Sequence, residues 1–88
     1  MGNLAKERIL DAGYESVIIF DDDCYDEALI GISEDNRAIY DFDLMVEGLI
    51  RSDDEIDETG AIEWIEYNVI RSLPYVDGAP IVMYRLWE

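Results

Sequence analysis

Seven carboxylates, Asp21, Asp22, Asp23, Asp26, Glu27, Asp41 and Asp43, flank two short apolar runs, and Asp53, Asp54, Glu55, Asp57 and Glu58 form a second group. Carboxylates so crowded can do three kinds of chemistry: replace phosphates before a basic partner, hold a hard cation, or act as a paired acid and base. The rest of the sequence narrows this choice. There is no histidine and one cysteine, Cys24, so Ser/His/Asp and Cys/His nucleophilic arrangements, a His/Cys zinc site and an internal disulfide are all excluded. No cofactor is expected.

The charge balance speaks for the first kind. Twenty-two acidic residues face six Lys and Arg, a net charge of −16 on 88 residues, far beyond what keeps a small domain dissolved. Such a surface repels nucleic acid, anionic membranes and phosphate-rich ligands, and it attracts a basic protein. Folded-area scaling gives about 5,300 Å² for this mass, hence one net charge per roughly 330 Å². Duplex DNA carries about one per 110 Å². An evenly spread surface is too dilute to imitate DNA, so mimicry requires clustering. Taken one at a time, surface acids are solvated loop charges or helix caps.

The other two chemistries fit less well. Residues 55–66 approximate an EF-hand loop, with oxygen ligands at positions 1, 3 and 5, Gly60 at 6 and Glu66 at 12, but Glu55 stands where Asp is required. Asp57 as a helix cap explains the same residues, and no metal site is assigned. Acid and base catalysis needs a cleft that so short a chain has little room for, and the expectation is a protein that is not an enzyme.

Trp64, Tyr67 and Arg71 fall opposite the apolar stripe of their helix. These residue types dominate protein interfaces, which makes the trio a second candidate contact. The competing expectation is that the Pro74–Pro80 loop or the N-terminal helix covers them, since large exposed aromatic patches are uncommon on small monomers.

The elements that must position these groups follow from spacing. Half the residues are apolar and 11% aromatic, enough for one domain spanning 1–88. Asn3 and Gly13 bracket a helix over 4–12. Val17 to Phe20 reads as a strand buried on both faces. Residues 27–32 and 37–40 make a hairpin around Ser33 to Asn36, with Ala28, Ile30 and Ile32 on one face. Asp41 caps a helix whose Phe42, Met45, Val46, Leu49 and Ile50 share a face. A further helix over 58–73 carries Ala61, Ile62, Ile65, Val69 and Leu73 and stops at Pro74. Ile81 to Leu86 closes the chain as a strand. The order is α-β-β-β-α-α-β, an α+β fold with an antiparallel sheet of three to four strands and helices on one face. In a meander the seven acids share one sheet edge. The N-terminal segment lacks the apolar core of a signal peptide and no run reaches the ~20 residues of a membrane span, so the expected location is cytoplasmic.

The segments Tyr25-Asp26-Glu27-Ala28-Leu29-Ile30-Gly31, Ile65-Glu66-Tyr67-Asn68-Val69-Ile70-Arg71-Ser72-Leu73-Pro74-Tyr75 and Pro80-Ile81-Val82-Met83-Tyr84 resemble a group of small phage and prophage proteins of Gram-positive and gut bacteria. The resemblance covers most of Tyr25 to Leu86, carries no catalytic or binding residue with it, and implies a phage context. Small acidic phage proteins include DNA mimics that block restriction enzymes and CRISPR nucleases. The leading expectation is therefore an anti-defence inhibitor: a non-catalytic protein in the bacterial cytoplasm that occupies the nucleic-acid-binding surface of a defence or replication protein. It would bind no nucleic acid or membrane itself. Asp21, Asp22, Asp23, Asp26, Glu27, Asp41 and Asp43 would contact the partner, with Trp64, Tyr67 and Arg71 as a second anchor. The alternatives are a sponge for a small immune nucleotide, a structural or assembly protein that forms a homodimer, and a weak EF-hand-like calcium binder.

Overall fold

The computed structural model describes residues 4–14, 16–20 and 22–86. Helix α1 (Leu4–Asp11) is followed by an extended segment and a 3-10 helix (Asp23–Ala28); then come strands β1 (Leu29–Ile32) and β2 (Ala38–Asp41), helices α2 (Phe42–Ser52) and α3 (Glu58–Asn68), a second 3-10 helix (Ile70–Tyr75) and strand β3 (Ile81–Met83). The fold is α+β, as the periodicities predict.

Local chemistry sets most boundaries. Gly13, at φ +95°, ends α1 in the left-handed conformation, its N–H donating to Leu10 O at 3.0 Å while Tyr14 N–H donates to Ile9 O at 3.1 Å. Those are the two bonds of a Schellman motif, placed by the one residue type that adopts this φ without a Cβ penalty. The expected cap Asn3 lies outside the described residues. In the β1–β2 hairpin, Asn36 takes φ +63° and Ser33 N–H donates to Arg37 O at 2.8 Å. Asp41 caps α2, accepting from Leu44 N at 3.2 Å, and Asp57 caps α3, accepting from Gly60 N at 2.8 Å.

Four expectations need correction. Val17 to Phe20 forms no strand. The segment packs its side chains instead: the Phe20 ring lies 4.5 Å from that of Tyr40 and 5.8 Å from that of Tyr25, and Phe20 N–H donates to the Tyr40 hydroxyl at 3.2 Å. Val17, Ile19 and Phe20 are partly buried against the core while Ile18 is exposed, so the run covers part of its apolar surface without joining a sheet ladder. The sheet, ordered β1-β2-β3, is mixed rather than antiparallel, because β3 runs parallel to β2. Two helices in the connection carry the chain back to the starting end of the sheet, as a parallel pair requires. A bulge between Leu29 and Gly31 breaks the alternation of β1 and turns Ile30 outward, half exposed, while Ala28 and Leu29 are buried. Finally, α3 ends at Asn68 rather than Leu73. Pro74 has no N–H to return to Ile70 and its ring crowds that carbonyl, so the chain tightens into the 3-10 helix.

The core gathers Ile9, Tyr25, Ala28, Leu29, Ala38, Tyr40, Phe42, Met45, Val46, Ala61 and Ile65. Its tightest seam joins the first 3-10 helix to α2 at Gly48, where any Cβ would collide with the Cys24 carbonyl oxygen.

Candidate acidic interface

The structure divides the expected contact residues. Asp22 precedes the first 3-10 helix and is exposed, and Asp23 begins that helix. Asp21 lies outside the described residues. Glu27 is exposed and pairs with Arg51 at 3.1 Å. Asp43, also exposed, stands 3.9 Å from Arg85. Antiparallel pairing of Leu29 with Tyr40 brings Glu27, Asp41 and Asp43 to one end of the sheet, although the expected meander lacks its first strand. Two members nevertheless fail as phosphate mimics. Asp26 and Asp41 are buried, 7% and 4% exposed, and Asp41 spends one oxygen on the α2 cap and the other on Arg85 at 2.7 Å. Asp41 holds the fold, and neither side chain is exposed to a partner.

The denser surface lies elsewhere. From Asp43 to Glu66, the helical hairpin of α2, its connecting turn and α3 displays Asp43, Glu47, Asp53, Asp54, Glu55, Asp57, Glu58, Glu63 and Glu66, all exposed, against the single cation Arg51. A groove of about 320 Å³ between the helices gathers Asp43, Glu47 and Glu58 around Phe42, Ile62 and Arg85. Carboxylates cluster here because α2 and α3 each bury a narrow apolar stripe. The remaining helical positions face water and are filled with one sign of charge. The sequence alone presents Asp53 to Glu58 as a second group, because the packing of α2 on α3 depends on contacts between distant residues.

Trp64 and Tyr67 are exposed, 50% and 64%, and neither the Pro74–Pro80 loop nor α1 removes them from solvent. Arg71 stacks on Tyr67 with its guanidinium carbon 5.4 Å from the ring centroid, a cation–π contact on the face read as a candidate anchor.

The arginines are committed within the chain. Arg8 donates to Leu29 O at 3.1 Å, Arg37 to Ala79 O at 2.7 Å, Arg51 to Glu27 and Arg85 to Asp41. With Arg71 on Tyr67, all five arginines are engaged. Nor do the described residues include any group of three or more His, Cys, Asp or Glu able to hold a metal ion. Asp57, a required oxygen ligand of the EF-hand alignment, gives Oδ1 to the helix N-terminus.

One group was missed. Tyr25 is 1% exposed and its hydroxyl is buried without a hydrogen-bond partner among the described residues. Burial pushes its pKa up to about 12, the charges of Cys24 and Asp22 add to the rise, and the nearby Trp64 side chain offsets part of it without reaching hydrogen-bond geometry. Tyr40 is raised too, by burial, against the Phe20 N–H that its oxygen accepts. A tyrosine among acids gives no signal in sequence that its oxygen will be enclosed. Among the described residues no helix is long and apolar enough to cross a membrane. No protein-family model matches the chain, and comparison with curated proteins and with solved structures gives no significant match.

Proposed function

We propose that this chain is a non-catalytic acidic decoy, a binding module that occupies the basic, nucleic-acid-binding surface of a protein partner. The observation that carries the reading is the α2–α3 hairpin, whose nine exposed carboxylates face one exposed cation. Averaged over the folded surface of 6210 Å², the net charge amounts to one per roughly 390 Å², several times more dilute than duplex DNA at about one per 110 Å². Concentration on the hairpin narrows that gap. The interacting surface in this reading comprises Asp43, Glu47 and Asp53 to Glu58, extended by Asp22 and Trp64.

The engagement of all five arginines argues against the nucleotide-sponge alternative, which needs donors available to phosphate. Like-charge repulsion at −16 opposes the self-association of an assembly protein. The resemblance to phage and prophage proteins directs the proposal to a restriction or CRISPR nuclease, or a replication protein, in the bacterial cytoplasm.

The test is capture from bacterial lysate on the immobilised protein at low salt, followed by elution with a short DNA duplex. A decoy shares its binding surface with DNA, so the duplex is expected to release the bound protein while an uncharged polymer does not. Bound proteins that the duplex leaves in place would contradict the reading.

A further inference from the structure

The register of the sheet sorts its side chains onto two faces. Leu29, Ile32, Ala38, Tyr40 and Val82 belong to the core or pack against it. Gly31 pairs with Ile39, Ile39 with Ile81 and Asp41 with Met83, so these residues share the opposite face. Ile39, Ile81 and Met83 are partly exposed and stand outside the core cluster, to which α1, the first 3-10 helix, α2 and α3 all commit their buried side chains. A Cβ at Gly31 would meet nothing within 4 Å. A sheet that leaves one face to water fills it with polar side chains. This one places two isoleucines and a methionine there, and an exposed apolar patch on a small protein marks a surface that another molecule covers.

The border of the patch is charged in a self-complementary way. At one end Arg37 donates to Ala79 O at 2.7 Å and stands 3.9 Å from Asp35. Beyond the other end Arg85 holds Asp41 and stands 3.9 Å from Asp43. Each end thus carries one arginine and one exposed aspartate. From this pattern we propose that the occupant of the open sheet face is a second copy of this chain, packed sheet against sheet about a two-fold axis with the strands of the two copies antiparallel. Reversed strand direction sets Arg37 beside Asp43 of the second copy and Asp35 beside its Arg85, whereas parallel strands would set arginine against arginine. A basic partner, which the rest of the molecule attracts, finds no excess of acid on this face. A patch that is its own complement closes with two copies. The helices lie on the outer sides of such a dimer and both acidic hairpins stay exposed, so the inference is independent of the decoy reading.

The dimer is weak and salt-promoted. Three strands about 4.8 Å apart, each contributing three residues at about 3.3 Å, span roughly 150 Å², well below the ~800 Å² per partner of a standard interface. Two chains of −16 repel one another over about 30 Å at 0.01 M salt but only about 8 Å at 0.15 M. Sixteen charges facing sixteen outweigh the two pairs at the rim. Added salt therefore favours the dimer, the reverse of its effect on binding to a basic partner.

Sedimentation equilibrium of the full chain tests this, from about 20 µM to about 1 mM protein and at about 0.02 M and 0.5 M sodium chloride. The weight-average mass is expected to climb with concentration towards twice the monomer mass, with a dissociation constant at least ~3-fold lower at the higher salt. Ile39→Thr with Met83→Thr, which keeps strand-forming side chains at the first position and removes apolar surface at both, should hold the chain monomeric while its melting temperature stays close to that of the parent. Tyr67→Ser with Tyr75→Ser, at exposed aromatics on the helical side, should leave the association unchanged. Arg37→Glu should weaken it several-fold and a further Asp43→Arg should restore it; the two residues flank opposite ends of β2 in one chain, so contact between chains is what couples them. A chain that stays monomeric at every concentration and salt would overturn the proposal and leave the face to a different protein. Association that survives the threonine pair but is lost with the serine pair would overturn it equally, by placing the contact on the helices.

Discussion

Asp41 and Arg85, 44 positions apart, meet with the guanidinium Nε donating to the carboxylate Oδ2 at 2.7 Å, while Oδ1 of the same aspartate accepts the Leu44 N–H that opens α2. One buried side chain thus ties the end of β2, the start of α2 and the tail beyond β3. Asp41→Asn retains the cap and loses the ion pair, whereas Asp41→Ala loses both. We expect a cost of about 1 kcal/mol for the first and roughly 2–3 kcal/mol for the second in urea unfolding. An Asp41→Asn variant as stable as the parent would show that the Arg85 pair adds nothing, and equal costs for the two variants would show that the cap adds nothing.

Gly48 and Gly31 make a contrast of sign. Alanine is the better helix former by about 1 kcal/mol, so Gly48→Ala in α2 would be favourable if the site were open. Its Cβ would instead strike the backbone of Cys24, where no flexible side chain can yield. The variant should lose about 2 kcal/mol or more. At Gly31 a Cβ meets nothing within 4 Å, and Gly31→Ala should fall within about 0.5 kcal/mol of the parent.

Alkaline stability should depend on Tyr25. Its pKa is raised from 10 to about 12 on folding, so the native state binds the phenolic proton more tightly than the unfolded chain. The associated stability is present in full below pH 10 and is lost as the pH climbs from 10 to 12. Tyr25→Phe should flatten the fall of unfolding free energy across that window, read by circular dichroism. An unaltered slope would place the Tyr25 hydroxyl in contact with solvent.

Asp57 separates capping from metal binding. Asp57→Ala should cost about 1 kcal/mol, the usual loss of an N-cap, and millimolar calcium should leave the melting temperature of parent and variant unchanged. A calcium-dependent rise in the parent alone would revive the loop as an ion site.

The sequence made the helices legible because their signals are local. The caps at Asp41 and Asp57, the α2 stripe and the turn at Gly13 each need only a few neighbouring residues. What it concealed depended on distant pairing. Val17 to Phe20 has every property of a strand except a neighbour, and β3 is parallel only because of the crossover before it. The acidic site was read in half. Glu27, Asp41 and Asp43 do converge, but burial of Asp26 and Asp41 removes two of the expected contacts, and the larger acidic surface comes from the packing of α2 on α3. Asp22, Asp53 and Trp64 meet at one cleft from three parts of the chain, a convergence that no spacing rule reveals.

In the decoy reading the acidic helical hairpin is what a partner recognises. The direct measurement compares, by calorimetry with the DNA-displaceable partner, two triple variants that remove the same charge. Asp54→Asn, Glu55→Gln and Glu58→Gln on the hairpin should weaken binding roughly 30-fold or more and reduce its salt dependence, whereas Glu7→Gln, Asp11→Asn and Glu34→Gln, equally exposed, should change it less than about 3-fold. Equal losses from the two sets would mean that only net charge matters and that the hairpin is no recognition surface.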